Sequence, residues 1–273
     1  MNKKYASLLN EIETEHKLSK FLMRNSKVLF VYGLNTFFRN FSTNPTMNED
    51  GEHVGGVVGF LRSVGKVIRD ENPTRVVVVF DGKGGSQKRK QLYSQYKEGR
   101  KVKFRVNRQY EEMMSEEDEQ VSLKRQLSWI GNILSVLPVT TMIYDNVEAD
   151  DVIGYLAKQV LKENESGIIL SSDKDFLQLV SENITVWNPL KKKRMDIDTV
   201  KADYGIHPSN FIWYRVLDGD KSDNIDGIRG CGLKTLQKRM PLLETAHKLT
   251  IDELIATADT QKDKFKIFDT IVS

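Results

Sequence analysis

The sequence predicts an α/β fold, a mostly parallel β-sheet flanked by helices, with a helical subdomain appended at the C-terminal end. Three observations predict it. Strand-like and helix-like segments alternate up to about residue 200. The runs KVLFVY (Lys27–Tyr32), RVVVVF (Arg75–Phe80) and GIIL (Gly167–Leu170) are apolar at consecutive positions, the pattern of strands covered on both faces. From Pro208 onward the pattern turns helical and strand-poor, so the change of architecture is expected near residues 200–208.

Met1 to Arg24 reads as a polar arm or helix, with Leu8, Leu9 and Ile12 at helical spacing. Lys27–Tyr32 is the first buried strand, and Val54 to Ile68 carries apolar residues at helical spacing. Arg75–Phe80 is the clearest strand, four consecutive β-branched residues closed by Asp81-Gly82. Val121 to Val136 reads as a helix that stops before Pro138, and Val139 to Tyr144 as a strand. Asp150 to Leu161 has Val152, Ile153, Leu156 and Val160 on one face of a helix. A strand at Gly167–Leu170, a helix near Phe176 to Val180 and a strand at Ile184–Trp187 follow. The domain reading is an arm at 1–25, the sheet domain at 26–205 and the helical subdomain at 206–273.

The chain has 273 residues, 39% hydrophobic and 29% charged, enough for a sizeable core without covalent staples. One cysteine, Cys231, excludes an intrachain disulfide and a thiolate zinc cluster, and fits a reducing compartment. No apolar run reaches membrane-spanning length and the charged N-terminus lacks a signal-peptide core, so a cytoplasmic protein without membrane association is expected. No GxxxxGK[ST] loop supports an ATPase, and Ser171 and Ser172 lack a GxSxG context. The four histidines, His16, His53, His207 and His247, have no metal-ligand spacing.

Charge is unevenly spread. The formal net charge is +3, yet ten basic residues lie between Lys83 and Arg108 against one acid, Glu98. The remainder of the chain is therefore net acidic. Tyr93, Tyr96, Phe104 and Tyr110 are interleaved with this charge, which suits bases stacking on rings while cations follow a phosphate backbone. A solvated basic loop has the same composition. A second run, Lys191 to Arg194 (KKKR), reads at least as well as a hairpin turn facing water.

The acids collect after strands. Asp81 follows RVVVVF; Glu148, Asp150 and Asp151 follow the strand ending at Tyr144; Asp173 and Asp175 follow GIIL; Asp220 and Asp223 sit in the loop LDGDKSDN. Functional groups of open parallel sheets gather at the carboxyl ends of strands. Any one cluster alone also suits a helix N-terminus, where acids favour the macrodipole. Four clusters together would repel unless cations intervene. Oxygen-only ligands favour Mg²⁺ or Mn²⁺, and a carboxylate site for two such ions is a recurrent solution for phosphodiester hydrolysis.

The ordered set VEADD (Val147–Asp151), SSDKDF (Ser171–Phe176), LDGDKSDNI (Leu217–Ile225), GIRGCG (Gly227–Gly232), FDGK (Phe80–Lys83) and QYKEGR (Gln95–Arg100) resembles the 5′-nuclease superfamily. That superfamily includes flap endonucleases, the 5′-nuclease domain of bacterial DNA polymerase I, and bacteriophage 5′-exonucleases and RNase H; size and the N-terminal arm look most like the phage enzymes. The resemblance spans roughly residues 27–240 and implies a PIN-like domain. It implies metal ligation by Asp81, Glu148, Asp150, Asp151, Asp173, Asp175, Asp220 and Asp223, with two Mg²⁺ or Mn²⁺ ions. It gives catalytic roles to Lys97, Arg100 and Arg39. The basic stretch at about 83–120 becomes an arch, with Lys83, Lys88, Arg89, Lys90 and Tyr96 contacting DNA. Gly227, Gly230, Gly232 and Lys234 become a helix–hairpin–helix-like turn on the duplex backbone, with K⁺ as a further ion.

The implied function is 5′→3′ exonuclease, flap endonuclease and RNase H activity on branched DNA, RNA–DNA hybrids and primers in replication and repair. The implied partners are a single-strand-binding protein or polymerase, and the implied state is a monomer. In one place the sequence departs from the pattern. The family's first strand ends Asp-Gly-x-Asn; here it reads Tyr32-Gly33-Leu34-Asn35. A phenol, with a pKa of about 10, is neutral at pH 7 and a poor Mg²⁺ ligand. A branched-DNA binder without cleavage is therefore the competing reading, and a single-stranded RNA endonuclease of the PIN-like fold a third.

Overall fold

The computed structural model describes Thr14 and residues 26–98 and 115–259. The expected arm at 1–25, apart from Thr14, and the segment 99–114 lie outside the described residues.

Six strands form one sheet: β1 (Lys27–Tyr32), β2 (Arg75–Asp81), β3 (Thr140–Tyr144), β4 (Ser166–Leu170), β5 (Ile184–Asn188) and β6 (Lys193–Met195), in the order β3-β2-β1-β4-β5-β6. The first five are parallel, as the apolar runs predict. β6 is antiparallel to β5, a three-residue edge strand that the polar run around it conceals. The KKKR run is the turn into this strand. Lys191 and Lys193 both pair with Asp203, and Arg194 with Glu71.

Side-chain alternation splits the core between the sheet's two faces. Leu29 and Val31 of β1, with Val76 and Val78 of β2, meet the helices α1 (Gly33–Thr43), α2 (Gly55–Glu71) and α4 (Glu116–Val136). Val28 and Phe30 face the other way, onto α5 (Ala149–Tyr155), α6 (Ile197–Tyr204) and α7 (Phe211–Asp218). The same alternation puts Tyr32 and Asp81 on this second face, and it is the face that carries the site.

Helix α4 starts where Ser115 and Asp118 cap each other's amides in a capping box. Near Phe176 a 3₁₀ turn (Lys174–Leu179) stands where an α-helix is expected. Two residues of this turn, Phe176 and Leu177, are buried, which fixes it against the sheet. A short α3 (Gln87–Leu92) opens the basic segment. Beyond residue 206 the chain is helical, with α8 (Leu233–Arg239), α9 (Ile251–Asp259) and a small hairpin of β7 (Gly219–Asp220) and β8 (Ile225–Asp226). These helices share one hydrophobic core with the second face of the sheet, through Tyr204, Phe211, Leu236 and Leu254. Buried Asn210 fastens the following segment by donating to the carbonyls of Thr245 and His247 and accepting the amide of Leu249.

Candidate active site

The carboxyl ends of β1, β2 and β4 and the loop after β3 bring most of the singled-out residues to one edge of the sheet. Asp81 closes β2, and its Oδ1 accepts the amide of Ala149 at 2.9 Å, which ties it to the start of α5. The turn after Asp81 requires glycine, since a Cβ on Gly82 would lie 2.2 Å from the carbonyl oxygen of Tyr144. Glu148 is the residue before α5 and is 4% exposed. Asp150 and Asp151 occupy the helix's first turn, where acids are favoured.

The base of the basic segment closes over these acids. Lys97 Nζ donates to Glu148 Oε1 at 2.8 Å, and the Tyr96 hydroxyl to Glu148 Oε2 at 3.0 Å. Arg89 pairs with Glu148 and reaches Asp150 at 3.5 Å and Asp151 at 2.7 Å. Burial alone would lower the Arg89 pKa, but the carboxylates of Asp150 and Asp151 hold it above its ordinary value. Asp223 Oδ2 lies 3.0 Å from the same Tyr96 hydroxyl, so the two carboxylates share its one proton, and the Lys97 amide donates to the Asp223 carbonyl at 2.8 Å. Lys97 takes a φ of 56°, a left-handed conformation uncommon outside glycine, which these contacts on both sides hold in place. Burial, then Asp223, push the Tyr96 phenol pKa upward, so it stays protonated and donates.

After β4, the Asp173 amide donates to Ser171 Oγ at 3.0 Å, and Asp173 Oδ1 accepts the amide of Asp175 at 2.9 Å. Asn35 Oδ1 accepts the amide and hydroxyl of Ser172 at 3.2 and 3.0 Å, locking this loop to α1. Burial, with Asp175 and Asp150 nearby, pushes the Asp173 carboxyl up to about 6. No salt bridge from a described residue reaches Asp173. Asp175 and Asp220, by contrast, are both bound by Arg215 of α7: Nε lies 2.6 Å from Asp175 Oδ1, and Nη2 pairs with Asp220. Asp220 is further held by the Ser222 amide and hydroxyl at 2.7 and 2.6 Å, and despite its burial these bonds and Arg215 keep its carboxyl below the ordinary range.

Arg89, Leu92, Tyr93, Tyr96, Asp150, Asp175 and Asp223 line a cleft of about 560 Å³. Among the described residues no three acids already stand in ligating positions about one point. The eight carboxylates share an edge, but Arg89, Lys97 and Arg215 are interleaved with them.

Other expected residues lie apart. Arg39 donates to Ser63 Oγ at 3.2 Å in a separate groove between α1, α2 and the β5–β6 turn, and among the described residues no ion pair joins it to the acids. Lys83, Lys88 and Lys90 are exposed beside the cleft. Gly227 packs so tightly that a Cβ would lie 2.3 Å from the Asp218 carbonyl carbon, and Gly230 takes a φ of 92°. Gly232 precedes α8, and Lys234 is exposed on it. Arg100 lies outside the described residues. Arg215 is the functional candidate that sequence reasoning missed. Its one signal is a lone charge in the apolar run FIWYRVL, five residues before Asp220.

At the end of β1, the Tyr32 ring meets Phe176 edge-on, with centroids 5.9 Å apart and planes at 81°. The half-buried ring packs against the hydrophobic core on the second face of the sheet.

The family model for the 5′-3′ exonuclease N-terminal resolvase-like domain matches residues 27–205. The chain belongs to this 5′-3′ exonuclease family. It is 34% identical over 211 residues to a 5′-3′ exonuclease of Aquifex aeolicus, covering 77% of this chain and 67% of that one. It is 35% identical over 209 residues to the thermostable DNA polymerase I of Thermus filiformis, of which the match covers 23%. The polymerase relatives are thus matched over about a quarter of their length. The fold is also that of bacteriophage T5 flap endonuclease in a pseudo-enzyme–product complex with DNA and metal ions, at a TM-score of 0.63 and 18% identity over 90% of this chain and 89% of that one. Family and fold together account for the parallel sheet and the helices around it. Among the described residues no helix is long and apolar enough to cross a membrane.

Proposed function

We propose that this protein is a divalent-metal-dependent, structure-specific 5′ nuclease, hydrolysing phosphodiesters of flapped DNA and of RNA primers on DNA during replication and repair. The observation that carries the reading is the meeting of Asp81, Glu148, Asp150 and Asp173 at one sheet edge with Lys97 and Arg89 above them. Oxygen-only donors around a carboxyl already pushed up by burial, and by Asp175 and Asp150 beside it, suit a Mg²⁺ or Mn²⁺ ion. Asp81, Glu148, Asp150 and Asp173 would hold it, with Asp151 beside them. Such an ion supplies a lowered pKa for water and a positive charge for the phosphate.

The chain's own groups do the rest. Lys97 and Arg89 hold the scissile phosphate over the acids, and Arg100 extends the same row of charge. Leu92 and Tyr93 offer an exposed platform for a base. Lys83, Lys88, Lys90 and Lys234 follow the backbone by charge, with loss of affinity as salt rises. The glycine turn at Gly227, Gly230 and Gly232 lets backbone groups approach a duplex phosphate, where K⁺ would assist. Arg39 contributes from its own groove to substrate placing. The reading makes the protein a cytoplasmic monomer. A polymerase is the favoured partner, since DNA polymerase I relatives carry the matching segment within their own chains.

One observation favours a second reading. Tyr32 supplies a ring where the family pattern has an acid, which fits a protein that binds branched DNA and leaves it uncut. Cleavage of a 5′-flap and of a 5′-recessed RNA–DNA hybrid, with Mg²⁺ and then Mn²⁺, separates the two. Product from the unaltered protein supports the nuclease. Product only from Tyr32→Asp makes the natural protein a binder.

A further inference from the structure

The acids around the cleft divide into two groups with different neighbours. Glu148, Asp150 and Asp151 meet Arg89 and Lys97 of the basic segment, which reach in from a separate stretch of chain, and among the described residues no ion pair reaches Asp81 or Asp173. Asp175 and Asp220 meet Arg215, which belongs to the folded core itself. Arg215 projects from α7, whose Phe211, Tyr214 and Leu217 are buried, so its Cα is fixed by packing. The side chain is 16% exposed and fully engaged: Nε on Asp175, Nη2 on Asp220, and Nη1 on the carbonyl of Gly219 at 3.3 Å. Gly219 itself cannot shift easily, because a Cβ there would lie 2.3 Å from the Gly227 amide and its φ is 77°.

A guanidinium keeps its proton at any working pH, and its fork matches two carboxylates at once. A divalent ion placed on Asp175 and Asp220 must first detach this fork and leave an arginine charge largely buried, which is costly. It would then sit within a few ångströms of that charge. On the other side of the site, Tyr32 removes an acid from the set that remains.

Resting on the nuclease reading above, we infer that Arg215 serves as the built-in second cation of this site, so that the chain takes one tightly held divalent ion where the carboxylate pattern suggests two. Asp175 and Asp220 then act through Arg215: they hold the loop after β4 against the β7–β8 hairpin. They do not ligate. The one ion is held by the group around Asp173.

Counting ions tests this without reference to cleavage. Free Mn²⁺ is followed by electron paramagnetic resonance as the intact protein is titrated. The wild type and Arg215→Lys are expected to take up one tight ion, and Arg215→Gln two. In a fold-independent arm, Asp175→Asn keeps Asp220 paired with Arg215 and is expected to leave the affinity for the one ion within about threefold. Asp173→Asn is expected to weaken it by about tenfold or more, as loss of even an outer partner of a ligand does. Two tight ions in the wild type overturn the inference and leave the metal-dependent reading standing. No tight ion in the wild type overturns both. A folded Arg215→Gln that still takes one ion, or an Asp175→Asn as damaging as Asp173→Asn, also overturns the inference.

Discussion

Strands β1 and β4 lie side by side, parallel and in register, with Val31 opposite Leu170. Both end at the same edge; β1 runs straight into α1 and β4 into a loop, and Asn35 of α1 binds Ser172 of that loop. Yet β1 delivers Tyr32, a ring stacked edge-on against Phe176, and β4 delivers Asp173, a carboxyl pushed up to about 6. Tyr32 is the last residue of β1, whereas Asp173 lies three residues beyond Leu170, the end of β4, so one adds to the core from the strand and the other to the charged site from the loop. At the end of β1 the ring finds an apolar neighbour, Phe176, in the same 3₁₀ turn that follows Asp173.

The largest effect that sharpens this contrast is expected from Asp173→Asn. It should lower cleavage of a 5′-flap by about a hundredfold or more, the scale seen on removing a single charge-stabilising group. Binding of the same flap in a fluorescence anisotropy titration should be unchanged. Full activity in this variant would break the contrast at its charged end. Lys97→Ala comes next. By removing one of the two cations on Glu148 it should slow cleavage by about tenfold to a hundredfold, and it should flatten the fall of DNA affinity with salt by about one counterion.

Tyr32→Asp tests the end of β1. An acid there adds a ligand beside Asp81, so Mn²⁺ affinity should rise by about tenfold. Loss of the edge-to-face pair should cost about 0.5–1.5 kcal/mol in urea unfolding with chelator present. Unchanged metal affinity would show that the ring's position is not continuous with the acid edge.

A further effect is in pH. The folded state keeps the Asp173 proton up to about 6, whereas the unfolded chain releases it near the ordinary 3.8. Folding therefore binds the proton between these values, and this group's contribution to metal-free stability is largest below the window and falls as pH rises through it, by about 2–3 kcal/mol in all. Metal-free Asp173→Asn should lack this decline and melt higher than the wild type at pH 7. A parallel decline in both proteins would assign the titration elsewhere.

The parallel sheet was legible because β1, β2 and β4 are apolar on both faces, a pattern that few other arrangements satisfy. The acid edge was legible because Asp81, the Glu148–Asp151 group and the Asp173–Asp175 pair each come within a few residues of a strand's carboxyl end. β6 was not, since a three-residue edge strand in a lysine run has no periodicity to read. Nor was the position of Arg39. The motif spacing ties it to the end of β1, but a helix rises along its axis, and seven residues carry it about two turns away. Arg215 stayed hidden for a different reason. Its partners are 40 residues upstream and 5 downstream, and no local pattern encodes which carboxylates a lone arginine will meet in three dimensions.

The glycine turn before α8 holds Cys231, the chain's one cysteine, fully buried and with its thiol pKa raised by that burial. Its amide closes the turn on the carbonyl of Ile228 at 2.9 Å. A thiol reagent can reach sulfur only when this turn opens, and it has no other sulfhydryl to modify. The rate of alkylation is thus a clock for one local opening event. Any nucleic acid that grips the turn has to slow that clock, whether or not a phosphodiester is ever cut.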